Sequence, residues 1–109
     1  MTNIIISIAG LNKDPIYTRN LQNLMKVVLE NPEFVANVKV VPEPKNPHDP
    51  KALRIDINNM SVGYIPRKEQ STLENLVPTI FSMGSVAYID SWGVFGDDNA
   101  LFCKIVIPL

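Results

Sequence analysis

Apolar and polar residues alternate strictly in two short stretches of the chain. Ala36, Val38 and Val40 are interleaved with Asn37 and Lys39, and Leu53, Ile55 and Ile57 with Arg54 and Asp56. A period of two is the mark of a strand with one face in a core. Residues 3–9 form an Ile-rich run that predicts a first strand. Asp14-Pro15 then offers an N-cap followed by a residue whose fixed φ suits the first helical position. Tyr17, Leu21, Leu24, Met25 and Val28 follow at helical spacing, and Pro32 ends this helix near Glu30 or Asn31. Asn58-Asn59 tolerates the positive φ of a hairpin turn and returns the chain through a strand at 61–65. A second helix is predicted from Arg67 to about Val77, with Leu73, Leu76 and Val77 on one face. Strands at about 85–91 and 100–107 complete the chain, joined by a loop from Trp92 to Asn99. Six short strands joined largely by hairpins, with two helices, predict a mainly β domain built as a small antiparallel barrel.

Between the strands at 36–41 and 52–57 runs Pro42-Glu43-Pro44-Lys45-Asn46-Pro47-His48-Asp49-Pro50-Lys51. Proline fixes φ and biases the residue before it toward extended geometry, so this segment is a stiff loop and not a helix. A rigid polar loop loses less entropy on meeting a ligand than a floppy one. Its polar groups also have a structural use: Asn46 and Asp49 can satisfy the loop's own backbone N–H groups. Both uses stand at this point.

The 109 residues suffice for one domain and one core, and we take residues 1–109 as that domain. Hydrophobic content of 46% and charged content of 19% belong to an ordinary folded chain. No apolar run approaches the roughly 20 residues needed to cross a bilayer. The start lacks a basic stretch before its apolar run, so a cytoplasmic protein without membrane partners is expected. Cys103, the 1 cysteine, lies in the apolar run from Leu101 to Ile107 and reads as a buried thiol. The net charge of −1 excludes a long electrostatic track for nucleic acid. Charge is nevertheless segregated. Residues 39–68 carry six bases (Lys39, Lys45, Lys51, Arg54, Arg67, Lys68) against three acids (Glu43, Asp49, Asp56), whereas residues 69–109 carry one base against five acids. No nucleophile–base set, phosphate-cradling glycine loop or metal-ligand cluster is legible, so neither catalysis nor a cofactor is expected.

The pattern E-P-x-N-P-x-D-P-x-A-L from Glu43 to Leu53, followed by Gly63-Tyr64-Ile65-Pro66-Arg67 at the start of a helix, resembles the HIRAN domain. The likeness extends to Ile6-Ser7-Ile8-Ala9-Gly10 and to Val94-Phe95-Gly96. HIRAN is a small barrel similar to OB- and SH3-like folds. It occurs at the N-terminus of a fork-remodelling helicase-like ATPase, and alone or fused in bacterial and phage proteins. The resemblance implies a six-stranded OB/SH3-like barrel that binds single-stranded DNA at a free 3′-hydroxyl end. It implies a role in repair or replication, with a helicase or nuclease acting in trans. A protein-interaction or structural module that kept the barrel and lost the DNA site is the alternative.

On this resemblance Asn46 and Asp49 hold the terminal nucleotide. An ionised aspartate only accepts, so Asp49 would take a hydrogen bond from a 3′-hydroxyl and repel a terminal phosphate. Asn46 could read a sugar or base edge, or close a turn over Pro47. Arg67 at a helix start and Lys45 would contact phosphates. Tyr64, Phe95 and, as a smaller surface, His48 would supply rings for bases. Trp92 or Phe95 is needed in the core, and Phe95 matches the motif better. One departure is clear. The better-studied members of the family carry an aromatic pair soon after the first glycine, where this chain has Leu11-Asn12-Lys13-Asp14 with only Tyr17 nearby.

Overall fold

The computed structural model describes residues 3–74, 87–96 and 100–108. Six strands and two helices follow in the order β1 (Asn3–Ser7), α1 (Pro15–Glu30), β2 (Val38–Pro42), β3 (Leu53–Ile57), β4 (Met60–Tyr64), α2 (Arg67–Glu74), β5 (Tyr88–Phe95) and β6 (Ala100–Pro108). The strands form two antiparallel sheets of 3 strands each, ordered β1-β6-β5 and β2-β3-β4. The mainly β domain with two helices is as expected, while a closed six-stranded barrel is not found among the described residues. Between the sheets, one isolated bridge joins Ala9 to Tyr64 and another joins Val38 to Ala87. Among the described residues the sheets touch at these points without a continuous ladder.

Local chemistry explains the elements. Asp14 adopts an extended conformation and its Oδ1 accepts from Ile16 N at 2.9 Å, capping α1 ahead of Pro15. Leu21 and Leu24 are the buried residues of α1, while Tyr17, Met25 and Val28 are half-buried beside them. Asn58 and Asn59 have φ of 51° and 66°, the paired positive values that a two-residue hairpin between β3 and β4 requires. In β3 the inward residues Leu53, Ile55 and Ile57 are buried, and so are Leu101, Cys103 and Ile105 of β6. Burial pushes the Cys103 thiol up to about 12, which keeps it protonated and unreactive.

Two expectations about elements change. β5 runs on through Phe95, so Trp92 to Phe95 is paired strand where a loop was expected; only Gly96 of that segment is a described turn residue. Trp92 is half-buried and packs on the core. The described part of α2 ends at Glu74, and Leu76 and Val77 lie outside the described residues. In β4, simple alternation fails. Ile55 pairs with Gly63 and Asp56 with Ser61, so Val62 is an extra residue without its own partner in that ladder. The bulge lets Val62 and Ile65 both enter the core and turns Tyr64 toward the proline-rich loop.

Gly63 makes that turn possible. Its φ is +152°, and a Cβ there would lie 2.5 Å from both the Ala9 carbonyl oxygen and Ile8 Cγ2. Only a residue without a side chain lets the end of β1 cross β4 so closely. Ala9 N donates to Tyr64 O at 2.8 Å and Tyr64 N donates to Ala9 O at 2.9 Å. These bonds set the turn after β1 beside the proline-rich loop and the start of α2.

Candidate nucleic-acid interface

The proline-rich loop braces itself. Glu43 N donates to Ala52 O at 3.0 Å, Asn46 N to Glu43 O at 3.0 Å, and Ala52 N to Asp49 O at 3.1 Å. Asn46 Oδ1 accepts from the backbone N–H groups of His48 (2.9 Å) and Asp49 (3.1 Å), the Asx-turn geometry over Pro47. Asp49 Oδ1 accepts from Lys51 N at 2.9 Å. Asp49 Oδ2 accepts from Gln70 Nε2 at 3.0 Å, and Arg67 Nε stands 3.6 Å from the same oxygen. The bracing roles of Asn46 and Asp49 are therefore both present. Spare capacity also remains, because each carboxylate oxygen can accept twice.

These contacts hold Asp49 ionised. The hydrogen bond from Gln70 acts first, then that from Lys51 N, with smaller help from the Arg67 and Lys51 charges, and the carboxyl stays below its ordinary range. Glu43 behaves alike. Burial raises its carboxyl, but hydrogen bonds from Tyr64, Asn46 and Arg54 outweigh this and lower it. The Tyr64 phenol is held well above its usual value by its hydrogen bond with Tyr17, then by burial and by Glu43.

Asn46, His48, Asp49, Tyr64 and Arg67 line one open cleft of about 460 Å³, together with Gly10, Lys13 and Gln70. Sequence reasoning named the first five. It missed Lys13 and Gln70, although both had signals. Gln70 lies three positions after Arg67, on the same helical face. Lys13 follows Gly10, whose φ of +77° opens a turn closed by Lys13 N donating to Gly10 O at 3.1 Å. Lys45 lies apart. It lines a neighbouring hollow of about 500 Å³ with Glu43, Pro44 and Pro47, and Tyr64 and Asn46 form part of both walls. Phe95, the last residue of β5, pairs with Ala100 of β6; its side chain lies outside the described residues.

The departure after Gly10 has a structural account. Leu11 is buried in the core, and Asn12 is bonded to β6 through Nδ2 to Leu101 O (2.7 Å) and Leu101 N to Oδ1 (3.0 Å). Tyr17 stands edge-on to Tyr64, with ring centroids 6.0 Å apart and an interplanar angle of 72°. The segment thus contributes a cation, Lys13, to the cleft, and among the described residues the cleft's aromatic rings are those of Tyr64 and His48.

The family model for the HIRAN domain matches residues 2–91. The chain belongs to the HIRAN family. HIRAN is a binding domain, in general one for nucleic acid. The matched region contains every residue of the cleft and ends before Val94-Phe95-Gly96. Neither the curated proteins nor the solved structures compared gave a match to the chain. No helix among the described residues is long and apolar enough to cross a membrane.

Proposed function

We propose that this HIRAN domain recognises single-stranded DNA at a free 3′-hydroxyl end. The observation that carries the reading is the meeting, in one cleft, of an aspartate with unused lone pairs and two cations, Lys13 and Arg67. In this reading Asp49 accepts the hydrogen bond of the terminal hydroxyl. Arg67 and Lys13 lie against the phosphates that precede it. Tyr64 gives a ring for one base, a contact worth about 1–3 kcal/mol. His48, exposed at the rim, adds a second flat surface. Lys45 meets the strand where it leaves the cleft over Tyr64. A separate helicase or nuclease supplies any chemistry at the end so held, in repair or replication.

Recognition of an end, as distinct from a strand, is tested with a labelled linear oligonucleotide in competition with linear or circular single strands of one sequence. The linear competitor should displace the label and the circle should not. Equal displacement by both would replace end recognition with general single-strand binding. Absence of binding to any strand would favour a protein-interaction module.

A further inference from the structure

Glu43, the first residue after β2, links Asn46 in the cleft wall to Arg54 of β3. Its Oε1 accepts from Asn46 Nδ2 at 3.1 Å. The Tyr64 ring lines the same hollow as this carboxylate. Its Oε2 accepts from an Arg54 terminal nitrogen at 2.9 Å, and Arg54 in turn clamps Asp56 with bonds of 2.8 and 2.9 Å. Ser61 Oγ donates to Asp56 Oδ1 at 2.9 Å. An unbroken polar chain therefore runs from the β3–β4 hairpin to Asn46. Its three charged members are largely screened from solvent, with side chains 28% (Arg54), 22% (Glu43) and 13% (Asp56) exposed.

We infer that Glu43 is a positioning residue that dictates which end of the Asn46 amide faces the cleft. A carboxylate only accepts, so the amide end turned toward Glu43 has to be the NH₂. The oxygen end is claimed by the N–H groups of His48 and Asp49. With one Nδ2 proton given to Glu43, the other is the polar group Asn46 has left to offer. Resting on the cleft being the ligand site, Asn46 is then a pure donor that takes an acceptor atom of the ligand, such as a sugar or phosphate oxygen. Asp49 is the complementary pure acceptor. The cleft reads a donor–acceptor pair of fixed sense, and Glu43 sets that sense without touching the ligand.

The test is Glu43→Gln. Arg54 requires an acceptor, so the new amide turns its oxygen to Arg54 and sets its NH₂ against the NH₂ of Asn46. In the free protein the side-chain amide signals of Asn46 should shift, and the His48 and Asp49 backbone amides should exchange faster with solvent. Affinity for a fluorescein-labelled oligothymidylate with a 3′-hydroxyl should fall about tenfold or more. Glu43→Gln with Asn46→Asp restores an acceptor opposite the glutamine and keeps an oxygen to cap His48 and Asp49. This double variant should regain melting temperature and exchange protection but not oligonucleotide binding, since it presents no donor to the cleft. Where the single variant does not fold, recovery of folding in the double variant reports the same complementarity. Unchanged Asn46 signals and exchange in a folded Glu43→Gln would overturn the inference. So would a double variant that regains binding along with stability. Should the wild-type chain bind no oligonucleotide, the proposed function falls, while the amide shifts and exchange rates still decide the role of Glu43.

Discussion

Gln70 Nε2 donates to Asp49 Oδ2 across 3.0 Å, a contact between residues 21 positions apart that ties the proline-rich loop to α2. It is the first cause of the lowered Asp49 carboxyl. Gln70→Ala should let that carboxyl titrate closer to its ordinary value, followed by NMR on the Asp49 carboxyl carbon. Oligonucleotide binding should weaken roughly fivefold, because the carboxylate loses a hydrogen bond that aims it. An unmoved titration would mean that the backbone N–H of Lys51 alone orients Asp49.

Gly63 is the point where two backbones come closest. Gly63→Ala would set a Cβ against the Ala9 carbonyl at a φ that L-residues rarely adopt. We expect a loss of roughly 2 kcal/mol or more in urea unfolding, from strain and overpacking together. A neutral substitution would show that the crossing of β1 over β4 can open without loss.

Acid should find the loop first. Glu43 and Asp49 both titrate below their ordinary values of 4.5 and 3.8. As pH falls, the unfolded chain therefore takes up protons before the native one does. The stabilisation these carboxylates supply is complete above their unfolded values and is lost as pH falls through the lower folded values. Their part of the melting temperature should be flat from about pH 5 to pH 8 and should drop below about pH 4. Asp49→Asn should make that drop shallower. An equal slope in the variant would assign the acid sensitivity to other groups.

What could be read in the sequence was what local pattern dictates. The alternation from Leu53 to Ile57, the Asp14-Pro15 cap and the Asn58-Asn59 turn are each fixed by neighbours a few positions away, and each lies where its pattern put it. The fixed spacings from Glu43 to Leu53 and from Gly63 to Arg67 likewise marked five of the cleft's side chains. The rest depended on distant partners. Whether six strands close into a barrel is decided at two seams, and each seam carries one isolated bridge. The bulge at Val62 could not be seen, because it follows from the close approach of β1 at Gly63. Lys13 joined the cleft only because the turn after β1 is bonded to Tyr64. The chain from Ser61 through Asp56, Arg54 and Glu43 to Asn46 draws on β4, β3 and the loop between β2 and β3. No single window of sequence contains it.

End recognition by the Asp49 carboxylate is the central claim, and one comparison tests it most directly. Two oligonucleotides of the same sequence, one ending in a 3′-hydroxyl and the other in a 3′-phosphate, are titrated against the wild-type chain and Asp49→Asn, with melting temperatures taken alongside. The phosphate removes the donor that Asp49 would accept and sets negative charge against it, so the hydroxyl end should bind about tenfold more tightly or better. Asp49→Asn should bind the hydroxyl end more weakly and lose most of the preference, because a neutral amide neither repels the phosphate nor lacks a donor for it. Equal affinity of the wild-type chain for both ends would contradict the claim.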